Sequence, residues 1–268
     1  MRAILVVASG VFRDSIRDRI AYGLVFFALL MISASFLLAQ LTAGQDVKII
    51  KDLGLAASSA IGVLLGVFFG IGLVSKEVER RSVYALLSKP VTRSQFIAGK
   101  YLGLVVTLLI NLAVMTAALY LVLGYLHWTA SPELRQAWET PAADPRLLKA
   151  VALIGVELMV VTAIAMFFST FSSPLLATAC TLALYVIGHF GADLKNLESI
   201  VQSRAVAAIG RGIYYLLPNL TRLDVKAEVV HGVAVSGGDM MMASLSSGLY
   251  IAVLVTGSAW IFARRDLK

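Results

Sequence analysis

Six stretches of this chain run about 18 to 30 residues almost without a charged side chain, each long enough to cross a bilayer. Lipid offers no hydrogen bonds to a backbone, so a chain that crosses it must pair its own N–H and C=O groups, and helices do this locally. The uncharged runs cover 20–45, 53–75, 101–132 and 240–263, and a longer one, 150–192, is interrupted only by Glu157. At about 20 residues per crossing that last run is too long for one span. Phe171-Ser172-Ser173-Pro174 supplies its turn, because the residue before a proline is biased away from helix. The predicted spans are 20–42, 53–75, 101–126, 149–171, 174–191 and 240–263. Only 15% of residues are charged, against about 25% in a soluble domain. The expected fold is an all-α polytopic membrane protein, one transmembrane domain over residues 1–268 with six transmembrane helices.

Charge sets the orientation. Both termini and the segment between the second and third spans hold 13 of the 23 basic residues and only five of the 16 acidic ones. The positive-inside rule therefore places both termini in the cytoplasm, here that of a bacterium with the chain in its inner membrane. The asymmetry accounts for the net charge of +7, and no basic patch interleaved with aromatics calls for nucleic acid. Residues 2–19 put Ile4, Ala8, Phe12, Ile16 and Ile20 on one face and Arg13, Asp14, Arg17 and Asp18 on the other, the pattern of an amphipathic helix lying in the interface. They do not read as a cleavable signal peptide. The largest extramembrane piece is the outer loop 192–239, where Leu194, Leu197, Val201, Ala205, Ala208 and Gly212 mark a helical stripe that ends near Pro218. The lone Cys180 forms no disulfide framework and reads as a small core residue.

Two features inside the spans stand out. Gly54, Ser58, Gly62, Gly66 and Gly70 recur every fourth residue, and small residues let helix backbones approach where lipid gives no hydrophobic drive to association. The stripe predicts a close helix contact, within the monomer or across a dimer axis. Glu157 sits near mid-depth of the fourth span, where an ionisable group costs a few kcal/mol unless paired or wet. It is either a path or gating group or a protonated glutamate held for structure, and Asn111 of the third span is its expected partner. His127, His189 and His231 fall on the outer side in separate segments, without metal-ligand spacing. Asn219-Leu220-Thr221 is a sequon, with a turn the expected role of Asn219. No Walker A, HExxH or GxSxG motif is present, and the nearest approach to a phosphate loop, 70–76, has Ser75 where glycine is required. No catalytic residue, bound cofactor or metal is expected, and the chain does not read as an enzyme.

The segment Lys76–Lys100 concentrates the remaining chemistry. Val78, Leu86 and Leu87 are apolar among Glu77, Glu79, Arg80, Arg81 and Lys89; Pro90 stops this first helix and Thr92 caps the next, which continues through Arg93 into the third span. One reading is a solvated loop that anchors two spans. The other is a short helix that docks in a partner's groove through Leu86 and Leu87.

Residues 79–93, ERRSVYALLSKPVTR, followed by Gly99 and Lys100, resemble the segment after the second span of ABC-2 type transporter permeases. The N-terminal FRDSIRDRI (12–20), the Leu217-Pro218-Asn219 segment and the terminal FARRDL (262–267) are also similar to permeases of this group, including those found beside nitrous oxide reductase maturation and gliding motility proteins. Arg81-Ser82 departs from the Gly-Thr pair common there. The resemblance implies an exporter half with a cytoplasmic coupling helix between the second and third spans, Glu77, Glu79, Arg81, Ser82, Leu86, Leu87, Pro90 and Arg93 carrying the contact. It further implies pairing with a second copy or a sister permease, two separate ABC ATPase subunits that bind ATP and Mg, and a possible periplasmic partner. An ion-coupled secondary carrier and a membrane scaffold without an ATPase are the alternatives.

Overall fold

A computed structural model describes residues 2–39, 45–80, 92–190, 212 and 217–264 of the chain. Every regular element among them is helical: α1 (Arg2–Ile16), α2 (Arg19–Ala39), α3 (Asp46–Arg80), α4 (Arg93–Thr129), α5 (Pro132–Ala137), α6 (Leu147–Ser169), α7 (Pro174–His189), α8 (Lys226–Val230) and α9 (Gly237–Arg264), with one 3-10 turn at Leu220–Arg222. Five of them are long and apolar enough to cross a membrane: α2, the stretch Asp46–Gly72 of α3, α4, α6 and α9. The expected span 174–191 is only the 16-residue α7. At 1.5 Å per residue it is about 24 Å long, short of the roughly 30 Å hydrocarbon core.

The breaks between helices fall where local chemistry puts them. Ser173 caps α7 and Pro174 opens it, so the serine-proline pair separates α6 from α7. Thr92 caps α4 in a capping box with Gln95. Asp18 accepts from the Ile20 N–H at the start of α2, after a turn at Arg17. The 226–235 segment turns at Gly232, whose φ of 74° is open to glycine at no steric cost; there Val233 N–H returns to the Glu228 carbonyl.

α3 and α6 form the centre. The apolar stretch of α3 is 78% buried, against 22% for α2 and 17% for α9, which leave broad apolar faces outward. α6 is apolar all round and buried all round, the mark of a helix with neighbours on every side. Gly62, Gly66 and Gly70 of α3 meet Leu158, Thr162 and Ala165 of α6 in that order, so the two helices run parallel. α4 runs antiparallel to them and presents Leu104, Leu108, Leu112, Met115, Leu119 and Leu123, at helical three- and four-residue intervals, to the core.

α1 lies along the first half of α4. The contact is made by Gly99 and Gly103, a four-residue glycine pair overlooked in the sequence: a Cβ on Gly99 would strike Val7 and the Ile4 carbonyl, and one on Gly103 the Ala8 carbonyl and Val11. The protein-facing side of α1 therefore carries Val7, Val11 and Ser15, with Leu5 and Val6 exposed. That face is rotated from the expected Ile4–Ala8–Phe12–Ile16 stripe, and Ile16 points outward, because the α4 glycines decide which side docks.

Both ends of the bundle are tied. At one end Arg93 donates to the carbonyls of Phe262 (3.4 Å) and Ala263 (2.9 Å), and Phe96 stacks on Phe262, so the start of α4 holds the end of α9. Lys100, fully buried, lies over the Phe96 ring at 4.6 Å. At the other end Lys51 is also fully buried; its ammonium donates to Thr140 Oγ1 (3.0 Å) and the Pro141 carbonyl (2.9 Å), clipping the 138–146 loop onto α3. One helical turn away, Lys48 pairs with exposed Glu139 and holds that carboxyl below the usual carboxylate range, by hydrogen bond first and charge second. Lys51→Met keeps the volume but leaves the buried Thr140 hydroxyl and the part-buried Pro141 carbonyl unmet. It should cost about 1.5–3 kcal/mol and speed proteolysis in 138–146, whereas Glu139→Gln should leave the thermal midpoint unchanged. Equal, small effects would remove the clip.

Candidate functional site

Two regions combine the residues singled out above. The first is the end of the bundle that carries Arg93. Glu77 and Glu79 belong to the last turns of α3, not to a separate helix starting after residue 76, because α3 continues unbroken to Arg80. Arg81, Ser82, Leu86, Leu87 and Pro90 lie outside the described residues, as does most of the outer stripe, Leu194 to Ala208, with Gly212 alone in a helical residue. The chain re-enters at Thr92, and the Arg93 guanidinium is engaged by the final carbonyls of α9. Residues 81–91 thus join two helices, α3 and α4, that are each tied elsewhere in the bundle.

The second region is the seam between α3 and α6. A Cβ on Gly54 would fall on Leu119 of α4, on Gly62 on Leu158, on Gly66 on Thr162 Oγ1, and on Gly70 on Ala165 and the Thr162 carbonyl. Ser58 returns its hydroxyl to the Gly54 carbonyl at 2.8 Å, so it presents no free polar group to lipid. At the end of the seam Ser169 Oγ reaches the Gly70 carbonyl at 3.4 Å. The stripe meets α4 at its first member and α6 at its last three, as expected for a four-residue repeat that drifts around a 3.6-residue helix.

Glu157 sits on α6 in the same seam and is fully buried. Asn111 is not its partner: the amide is spent on the Thr107 carbonyl of its own helix at 2.9 Å. Instead Ser59 of α3 donates to Glu157 Oε2 at 3.4 Å, and Nε2 of His189, the last residue of α7, stands 3.3 Å from Oε1. That second contact is an ion-pair distance without hydrogen-bond geometry, since Oε1 accepts no hydrogen bond. Tyr185, one turn back on α7, faces the same carboxylate and Ser59.

His189 is therefore not a solvated outer histidine. It faces inward from the last residue of α7, and that end is closed by the 3-10 turn: Thr221 Oγ1 donates to the Gly188 (3.5 Å) and His189 (2.9 Å) carbonyls, and Leu220 packs on Gly188. Lys226 donates to Ser59 Oγ at 3.2 Å and pairs with Asp224 at 3.3 Å. Asp224 in turn lines an outward pocket of about 470 Å³ with Arg222, Glu228 and Asp239. Sequence reasoning missed Ser59, Tyr185, His189 and Lys226. The usable signal was the rarity of such side chains at membrane depth, but it requires knowing that α7 stops short. His127 packs beside Trp138 and His231 is exposed. Among the described residues no three His, Cys, Asp or Glu side chains stand together as a metal site.

Gly70→Val must push Ala165 or the α6 backbone aside and should cost about 1–3 kcal/mol. Gly72→Val, with open space around it, should be tolerated; a thermal melt that ranks the two equally would remove the seam from the account. The family model described as ABC-2 family transporter protein matches residues 5–267. No curated protein matches the chain.

Proposed function

The chain belongs to the ABC-2 family transporter proteins, and from that premise we propose that it is the permease subunit of an ATP-driven exporter, or of a machine that transmits force across the bacterial inner membrane. Separate ABC ATPase subunits, two copies binding ATP and Mg, dock on the 77–90 segment with Leu86 and Leu87 as anchors. Two permeases, identical or sister chains, complete the transporter. Six crossings would put both termini in the cytoplasm, in keeping with the positive-inside rule.

The observation that carries this reading is the continuity of α3. One 35-residue helix runs from Asp46, past the clip at Lys51 and through the glycine seam, to Arg80. That is about 52 Å of rigid rod at 1.5 Å per residue. Its far side, across 81–91, leads into α4, whose first turn is fastened to α9 by Arg93. A push on the segment is delivered to α3 along its axis, and the smooth glycine face against α6 is where the rod can slide. The buried Glu157–His189 contact is the one feature that favours an ion-coupled carrier instead.

Purification of the full-length chain from its own membranes separates the two. A stoichiometric nucleotide-hydrolysing companion is expected, and Leu86→Asp should either strip it or leave its hydrolysis unresponsive to the permease. A chain that purifies alone and stays active, or a mutant complex indistinguishable from wild type, would overturn the proposal.

A further inference from the structure

We propose that Glu157 and His189 form a binding site for one proton, reached from the outer pocket through Asp224, Lys226 and Ser59, and that this proton latches the end of α7 to the α3–α6 seam. The argument starts from the imidazole. His189 Nδ1 lies 3.0 Å from the Tyr185 carbonyl, and a carbonyl only accepts, so Nδ1 carries a hydrogen. Nε2 then faces Glu157 Oε1 at 3.3 Å. Two arrangements make that contact attractive: imidazolium beside carboxylate, or neutral imidazole beside carboxylic acid. Both hold the same single proton. Without it, a bare nitrogen lone pair faces a buried carboxylate, and the contact turns repulsive at a depth where a lone charge is costly.

The surroundings supply a route and no substitute. Lys226 donates to Ser59, and Ser59 donates to Glu157 Oε2, so hydrogen-bonded donors point from the pocket side toward the acid. Asp224, paired with Lys226, lines the pocket mouth. Among the described residues Tyr185 of α7 also faces the pair, and Tyr250 of α9 belongs to the apolar cluster that holds Tyr185. Lys226 and Asp224 offset each other, so the proton decides the net charge of the cluster. The latch matters because α7 ends at this point: among the described residues the His189 contact, the Thr221 hydroxyl and the packing of Leu220 on Gly188 hold its end. Raising the pH removes the proton and frees the end of α7 from the seam. The site stands on geometry alone and does not depend on an ATPase.

Cys180, the single cysteine, sits on α7 and accepts an environment-sensitive dye in the full-length chain in lipid nanodiscs. Wild type should show one spectral transition, one proton wide, as the pH is raised. Glu157→Gln should abolish it, because the amide offers an N–H to Nε2 at every pH. A transition that persists in Glu157→Gln, or a wild type without one, overturns the proposal. Should the variant fail to assemble, nitrogen NMR of the wild-type imidazoles decides: His189 must lose its Nε2 proton in step with the dye, and a His189 that titrates apart from it overturns the latch.

Discussion

Close approach of α3 to α6 is the constraint from which the rest of the molecule follows. In lipid, burying a leucine against another helix gains little over burying it in acyl chains, so association rests on packing, hydrogen bonds and the removal of side-chain obstacles. Gly62, Gly66 and Gly70 remove the obstacles. With backbones that close, α6 is enclosed on all sides, and Glu157 and Ser59 are brought into reach of each other across the seam. Widening the seam by one methyl group would disturb the packing and the polar contact together.

The seam is lined by small residues and crossed by the Ser59–Glu157 and Ser169–Gly70 contacts, and the helices around it are fastened at both ends of the bundle. Lys51 pins α3 to the 138–146 loop, and Arg93 pins α4 to α9. Both use a long basic side chain: the head of Lys51 meets a hydroxyl and a carbonyl oxygen, that of Arg93 two carbonyl oxygens. Small-residue contacts between these fastenings leave few side chains interlocked along the seam, which is what the proposed sliding of α3 would need.

Much of this was legible in the sequence. The uncharged runs located every long helix, Ser173-Pro174 located the hairpin, and Thr92 located the start of α4, since each depends on local chemistry. The glycine stripe was legible as a contact but not its partner, because a repeat on one helix does not name the helix opposite. Charge did not reveal burial: Lys51 and Lys100 are buried, because a lysine near a helix end can be covered by a loop or an aromatic ring that hydropathy does not see. Asn111 was expected to partner Glu157 because the two share a similar depth and His189 was placed on the outer side, whereas His189, the last residue of α7, stands 3.3 Å from the carboxylate. The Gly99–Gly103 pair was passed over because Lys100 and Tyr101 disguised it as a loop end.

The claim at the centre is that α3 moves against α6 when the partner hydrolyses ATP. A disulfide across the seam tests it without knowledge of any cargo. A Cβ at Gly66 falls 3.1 Å from Thr162 Oγ1, so cysteines at 66 and 162, with Cys180 replaced by serine, are placed to bridge. Hydrolysis by the intact complex should slow when the bridge is oxidised and recover on reduction. An identical rate in both states would contradict the account.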